Sequence, residues 1–150
     1  MYEITQVDAL LFRSPRPTKQ KLSCWQLAYA IGAVLNLEGD APDAVRQEVT
    51  DCGDLGIDEL RLGMSGLSRP TKEQLLTGLH YIQENQKRKI PVVVHCLHGV
   101  DRTGLVCATY RILVQGWSVE DAWAEALRFG LHWYVYFWWK KSLYELKGGG

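Results

Sequence analysis

A chain of 150 residues, 47% hydrophobic and 23% charged, fits one domain and is long enough to bury a real core. Seventeen basic residues balance seventeen acidic ones, so no overall field attracts nucleic acid or an acidic membrane, and any anion recognition must be local. The N-terminus MYEITQVDAL lacks a basic start before an apolar run and is not read as a signal peptide. No apolar stretch approaches the ~20 residues of a membrane span.

In chain order, ALLFRS (9–14) predicts a first strand, ended by PRP (15–17). Thr18 is placed to cap a helix running to about residue 30. AVLNLEGD (33–40) predicts a strand closed by Gly39. A helix follows over 41–56, with Pro42 near its start and Gly53 and Gly56 past its end. IDELRL (57–62) alternates with period two, and GMSGLSRP (63–70) is a loop. Thr71 and Gln74 form a capping box for a helix to about residue 88. A short strand at 91–95 leads by a turn into a helix from about residue 103, ended by Gly116. Ser118 caps VEDAWAEALRFG, and 133–147 predicts a last, aromatic-rich helix. The glycines at 148–150 are a flexible tail, which leaves residues 1–147 as a single domain.

Strands alternating with helices imply an α/β fold with a central, mainly parallel sheet flanked by helices. Ligands of such sheets bind at the carboxyl ends of the strands. The stretch VVVHCLHGVDRTG (92–104) lies there. A β-branched run ends in His95 and Cys96, and a helix begins just beyond, so Cys96 sits where backbone amides converge and an anion is welcome. Those amides, the helix dipole and Arg102 all favour a Cys96 thiolate over the usual thiol near pKa ~8.5. The amides of Leu97, His98, Gly99, Val100, Asp101 and Arg102 are suited to hold phosphate oxygens, and the planar fork of Arg102 grips two at once. Thr103 is placed to donate its hydroxyl to the Cys96 sulfur. His95 points away from Cys96 by strand alternation and fixes the loop by hydrogen bonds.

Other readings of the cysteines are weaker. Cys24, Cys52, Cys96 and Cys107 form no C-x-x-C pair, so neither a zinc ribbon nor a thioredoxin-type motif is present. They are read as reduced thiols, Cys107 as core and Cys24 and Cys52 as structural, in a cytoplasmic protein. His95, Cys96 and His98 as metal ligands have poor tetrahedral geometry and no evident fourth partner.

HCLHGVDRTG resembles the His-Cys-(five residues)-Arg-Thr/Ser loop of the cysteine-dependent protein tyrosine phosphatases, specifically their small dual-specificity-like bacterial branch. FRSPRPT (12–18), AVLNLEGD, MSGLSRPTKEQL (64–75) and GWSVEDAWAE (116–125) resemble further elements of that branch, over roughly residues 9–145. The resemblance implies a phosphate monoester hydrolase that works through a cysteinyl-phosphate, without metal or organic cofactor. It implies a phosphorylated protein or small phosphomonoester as substrate. The protein is expected to be a monomer, with no nucleic-acid or membrane partner.

One family feature is missing. Relatives place an acidic residue on a mobile loop roughly thirty residues before the cysteine, to protonate the leaving group. RLGMSGLSRP (61–70) has no acid. Asp101 is one candidate, with a salt bridge or helix cap as its structural alternative; Asp58 and Glu59 on the preceding strand are others. No lysine lies between Cys96 and Arg102, which favours a phosphotyrosine-like or small monophosphate substrate. An inositol-phosphate or nucleotide phosphatase, or a catalytically weak phosphate-binding interaction protein, are the alternatives.

Overall fold

The computed structural model describes residues 4–147, and the glycine tail at 148–150 lies outside them. Five strands form one sheet: β1 (Thr5–Asp8), β2 (Leu11–Ser14), β3 (Ala33–Glu38), β4 (Asp58–Met64) and β5 (Val92–His95). Their order is β1-β2-β5-β3-β4, with β5 in the middle. β2, β5, β3 and β4 run parallel, and only β1 pairs antiparallel, with β2. The mainly parallel α/β arrangement is therefore the one expected.

Side-chain alternation splits the core into two. Leu11, Ala33, Leu35, Leu37, Val92 and Val94 face one side of the sheet. There they pack on α3 (Lys72–Lys87), α4 (Arg102–Leu113), α5 (Val119–Arg128) and α7 (Lys140–Leu146). Phe12, Val34 and Val93 face the other side, against α1 (Lys19–Tyr29) and α2 (Pro42–Leu55). Successive strand residues point to opposite faces, so a strand covered by helices on both sides reads as a continuous apolar run. The three valines of β5 are such a run, each fully buried.

The caps foreseen for three helices are present. Thr18 accepts from Lys21 N, Ser118 from Asp121 N, and Thr71 with Gln74 closes a full capping box. Three expectations need correction. The predicted first strand begins at Leu11 rather than residue 9, because Asp8 to Leu11 is the turn of a hairpin whose partner β1 was not foreseen. β1 is only TQVD, with no apolar run to announce it. Gly53 lies inside α2; the left-handed stop is Gly56, at φ 70°. The last helix is interrupted: α6 (Trp133–Tyr136) passes through a 3-10 turn at Phe137–Trp139 before α7. Residues three apart eclipse in such a turn. Here Tyr136 comes to 4.2 Å from the fully buried Trp139.

No helix among the described residues is long and apolar enough to cross a membrane. Replacing Thr71 with Ala removes the side-chain half of the capping box. It should lower unfolding stability by about 1 kcal/mol with an unchanged denaturant slope, read by urea titration.

Candidate active site

β5 delivers its loop at the centre of the sheet, between β2 and β3. Four of the loop's carbonyls, those of Leu97, Gly99, Val100 and Asp101, are taken up by the protein. Leu97 O accepts from Arg16 N at 3.1 Å, and Gly99 O from the buried Arg13 Nη2 at 2.9 Å. Val100 O and Asp101 O accept from Gly104 N and Leu105 N in the first turn of α4. The amides of residues 97–101, by contrast, donate to no protein group among the described residues. A loop with committed carbonyls and free amides at a helix N-terminus is an anion cradle.

The sequence supports this shape at two points. Gly99 sits at φ 74°, and a Cβ there would lie 2.5 Å from Ser14 O, so neither the backbone nor the space admits a side chain. Gly104 is different, since a Cβ would meet nothing closer than 3.5 Å. Arg13 reaches Gly99 from β2 while stacked 4.1 Å above the Phe129 ring.

Cys96 is 2% exposed at the floor of a cavity of about 260 Å³. Thr103 Oγ1 donates to its Sγ at 3.1 Å. Leu97, His98, Asp101 and Arg102 line the same cavity from the loop side. Asp40, Gly66 and Leu67 form the opposite wall, with Tyr136 and Trp139 beside them. The Arg102 side chain is buried; its Nη1 donates to Met64 O at 2.8 Å and to Asp40 Oδ1 at 3.2 Å. His98 is an exposed rim residue. Gly99 and Val100 contribute backbone and do not line the cavity.

His95 belongs to the other face of the sheet, as alternation requires. It is fully buried, with Nε2 2.7 Å from Glu48 Oε2 on α2 and Nδ1 3.4 Å from Cys96 O. Beside it the buried Glu38 accepts two hydrogen bonds from Arg16 Nε. Glu38, Glu48 and His95 bring potential metal-binding atoms within 4.8 Å of one another, but Arg16 already occupies Glu38. His95, Cys96 and His98 do not converge as ligands, since His95 faces α2 and His98 faces solvent.

Asp101 gives no side-chain hydrogen bond to its helix. Its carboxylate instead accepts from His132 N at 2.9 Å and lies 2.9 Å from His132 Nδ1. Asp58 and Glu59 open β4, at the end of the strand remote from the cavity, and neither lines it. Tyr81 donates to Asp58. The other cysteines are unlike Cys96: burial pushes the Cys52 thiol up to about 12 and raises Cys107 as well. Cys24 is exposed on α1 rather than structural.

Sequence reasoning missed Asp40, Glu38, Glu48, Arg13, Arg16 and His132 as members of this site. Glu38 and Asp40 stand at the carboxyl end of β3, where the topology alone would have directed attention.

A cysteine on a loop between a central strand and a helix, with an arginine lining the same cavity, is the arrangement of the cysteine-dependent protein tyrosine phosphatase superfamily. A family model described as "Tc-R-P: Polymorphic toxin system, DSP-PTPase phosphatase" matches residues 12–116, and the chain belongs to that family. It is 46% identical over 57 residues to the dual specificity protein phosphatase TpbA of Pseudomonas aeruginosa strain UCBPP-PA14, covering 38% of this chain and 26% of TpbA. The crystal structure of P. aeruginosa TpbA superposes with a TM-score of 0.75 at 26% identity, over 99% of this chain and 85% of that one. A complex of TpbA with pTyr superposes at 0.71 and 27% identity, over 86% and 75%. Human phosphatidylglycerophosphatase and protein-tyrosine phosphatase 1 is 37% identical over 71 residues, 45% of this chain and 34% of that protein. The matched stretches thus span a quarter to a third of these curated relatives.

The network beneath the loop makes a testable statement about pH. Burial, then the hydrogen bond and charge of Glu48, push Glu59 up to about 8, against the lowering influence of Asn36 and Arg61. The folded protein thus holds a proton that the unfolded chain releases near 4.5. Stability contributed by this group falls as pH rises from about 4.5 to about 8, and the penalty is complete above that. Glu59→Gln should therefore be more stable than wild type at pH 8 and nearly equal to it at pH 4.5, measured by chemical unfolding.

Proposed function

We propose that the protein hydrolyses phosphate monoesters through a cysteinyl-phosphate intermediate, with residues 1–147 acting as one catalytic domain. The observation that supports this reading is the Thr103 hydroxyl donating to Cys96 Sγ, beside a loop whose 97–101 amides donate to no protein group among the described residues. The Cys96 thiolate attacks phosphorus while the amides of residues 97–102 and the Arg102 guanidinium hold the non-bridging oxygens. Negative charge builds on those oxygens in the transition state, and donors fixed in advance stabilise it without reorganising. Water then cleaves the S–P bond, and the Thr103 hydroxyl stabilises the departing thiolate. Neither step calls for a metal or an organic cofactor.

The substrate we infer is an aryl phosphate of the phosphotyrosine kind, on a protein or a small molecule. Leu97 and Leu67 are exposed at the rim, at 40% and 82%, and Tyr136 and Trp139 line the wall. Such a wall packs against a ring, whereas a highly charged inositol phosphate calls for basic residues, and His98 is the single extra base on the loop. The pTyr complex of the TpbA relative supports the same choice. Inositol phosphates, nucleotides and phospholipid headgroups are the competing substrates in a panel. Four free cysteines support a reducing, cytoplasmic setting, with the protein acting as a monomer.

Cys96→Ser should lower turnover of p-nitrophenyl phosphate to below about a hundredth of wild type while keeping oxyanion binding, because an alcohol cannot replace the thiolate. Turnover above that level would end the covalent mechanism. Oxyanion binding without turnover by the wild-type protein would leave a phosphate-binding interaction protein.

A further inference from the structure

The middle loop carries no acid, yet the cavity contains one from elsewhere in the chain. Asp40 follows β3 in the turn before α2, and its carboxylate faces the cavity directly. Oδ1 accepts from Arg102 Nη1 at 3.2 Å, and Oδ2 accepts from Gly66 N at 3.3 Å. Gly66 lies thirty residues before Cys96, where relatives place their acidic residue. A Cβ built on Gly66 would be 3.4 Å from Asp40 Oδ2, so the Asp40 carboxylate lies beside the place such a side chain would start from.

The other carboxylates near the cavity are far less exposed than Asp40. Asp101 is bound through both oxygens to His132, with a side chain only 15% exposed. Glu38 is 1% exposed and paired with Arg16. The Asp40 side chain is 54% exposed and opens onto the cavity.

We propose that Asp40 is the general acid of this reaction, supplied from the β3–α2 turn in place of the middle loop; the inference rests on the phosphatase reading above. As the S–P bond forms, the P–O ester bond breaks, and its electron pair goes to the leaving oxygen. That oxygen takes the proton of the Asp40 carboxyl and departs as a neutral alcohol or phenol, leaving Asp40 as carboxylate. In the second step Asp40 takes a proton from the attacking water. The P–S electron pair returns to Cys96, and inorganic phosphate and a protonated Asp40 result.

Electrostatics make the acid conditional on substrate. In the free protein, partial burial pushes Asp40 upward, but the Gly66 amide and the charge and hydrogen bond of Arg102 outweigh it, and the net shift is downward. A phosphate dianion engages the Arg102 fork and adds negative charge beside Asp40. Both changes favour the protonated carboxyl. The phosphate thus releases Asp40 from the ion pair that keeps it a carboxylate.

The test is a series of aryl phosphates of rising leaving-group pKa, run on wild type, Asp40→Asn, Asp101→Asn and Cys96→Ser, with vanadate binding measured for each. Wild type should depend weakly on leaving-group pKa. Asp40→Asn should lose about 10²–10⁴-fold on phenyl phosphate and far less on substrates whose leaving groups depart as anions unaided. Its vanadate binding should persist. Equal losses across the series, a steeper dependence in Asp101→Asn than in Asp40→Asn, or loss of vanadate binding by Asp40→Asn would each overturn the assignment. Turnover retained by Cys96→Ser would overturn the covalent reading instead. A wild-type protein inert toward the whole series would overturn both.

Discussion

A loop whose 97–101 amides donate to no protein group among the described residues cannot hydrogen-bond itself into shape. Each uncommitted amide costs free energy when no anion is present, about 1–3 kcal/mol where it is also shielded from water. The rest of the structure must therefore hold the loop from outside. Arg13 and Arg16 do this from β2 and the segment after it, by taking Gly99 O and Leu97 O. The first turn of α4 takes the next two carbonyls. Gly99 allows the backbone to press against Ser14, so the loop is clamped between β2 and its own helix. The central position of β5 follows from the same need, because only an inner strand has neighbours on both edges to supply such clamps.

Behind the loop lies a second, ionic layer. Arg16 and Glu38 form an ion pair whose carboxylate is buried and whose guanidinium is half-exposed, His95 Nε2 lies 2.7 Å from the buried Glu48 Oε2, and Glu48 also faces Glu59. Polar contacts of this kind contribute little net stability compared with apolar packing. Their value here is in geometry. His95 ties the end of β5 to α2, and Arg16 ties the segment after β2 to the end of β3. The strand ends that meet at the cavity are thereby held in one arrangement. Glu59, at the opposite end of β4, is pushed upward by burial and by Glu48.

The elements that read clearly in the sequence were those governed by local rules. The capping box at Thr71, the buried valines of β5 and the cysteine–arginine loop each carry their signal within a few residues. β1 did not, because its four residues alternate weakly and gain their place from pairing with β2. The break at Phe137–Trp139 arises from tertiary packing of Trp139, which an aromatic-rich string does not reveal. The support of the site was illegible for the same reason. Arg13 meets Gly99 across 86 positions and Glu48 meets His95 across 47, and such partners exist only once the sheet is ordered.

The proposed acid lies in the turn just after β3, and that position has a mechanical consequence. A Cβ on Gly39 would fall 2.8 Å from Met64 O, so the backbones at the ends of β3 and β4 are pressed together just before Asp40. Met64 O in turn accepts from Arg102. The carboxyl and the guanidinium are thus referenced to the same pair of strand ends, rather than one to the sheet and the other to a moving loop. What remains to be switched is charge, not position: Asp40 and Arg102 neutralise each other until a phosphate takes the arginine. An acid controlled in this way can share the cavity with a thiolate without a loop having to close over it.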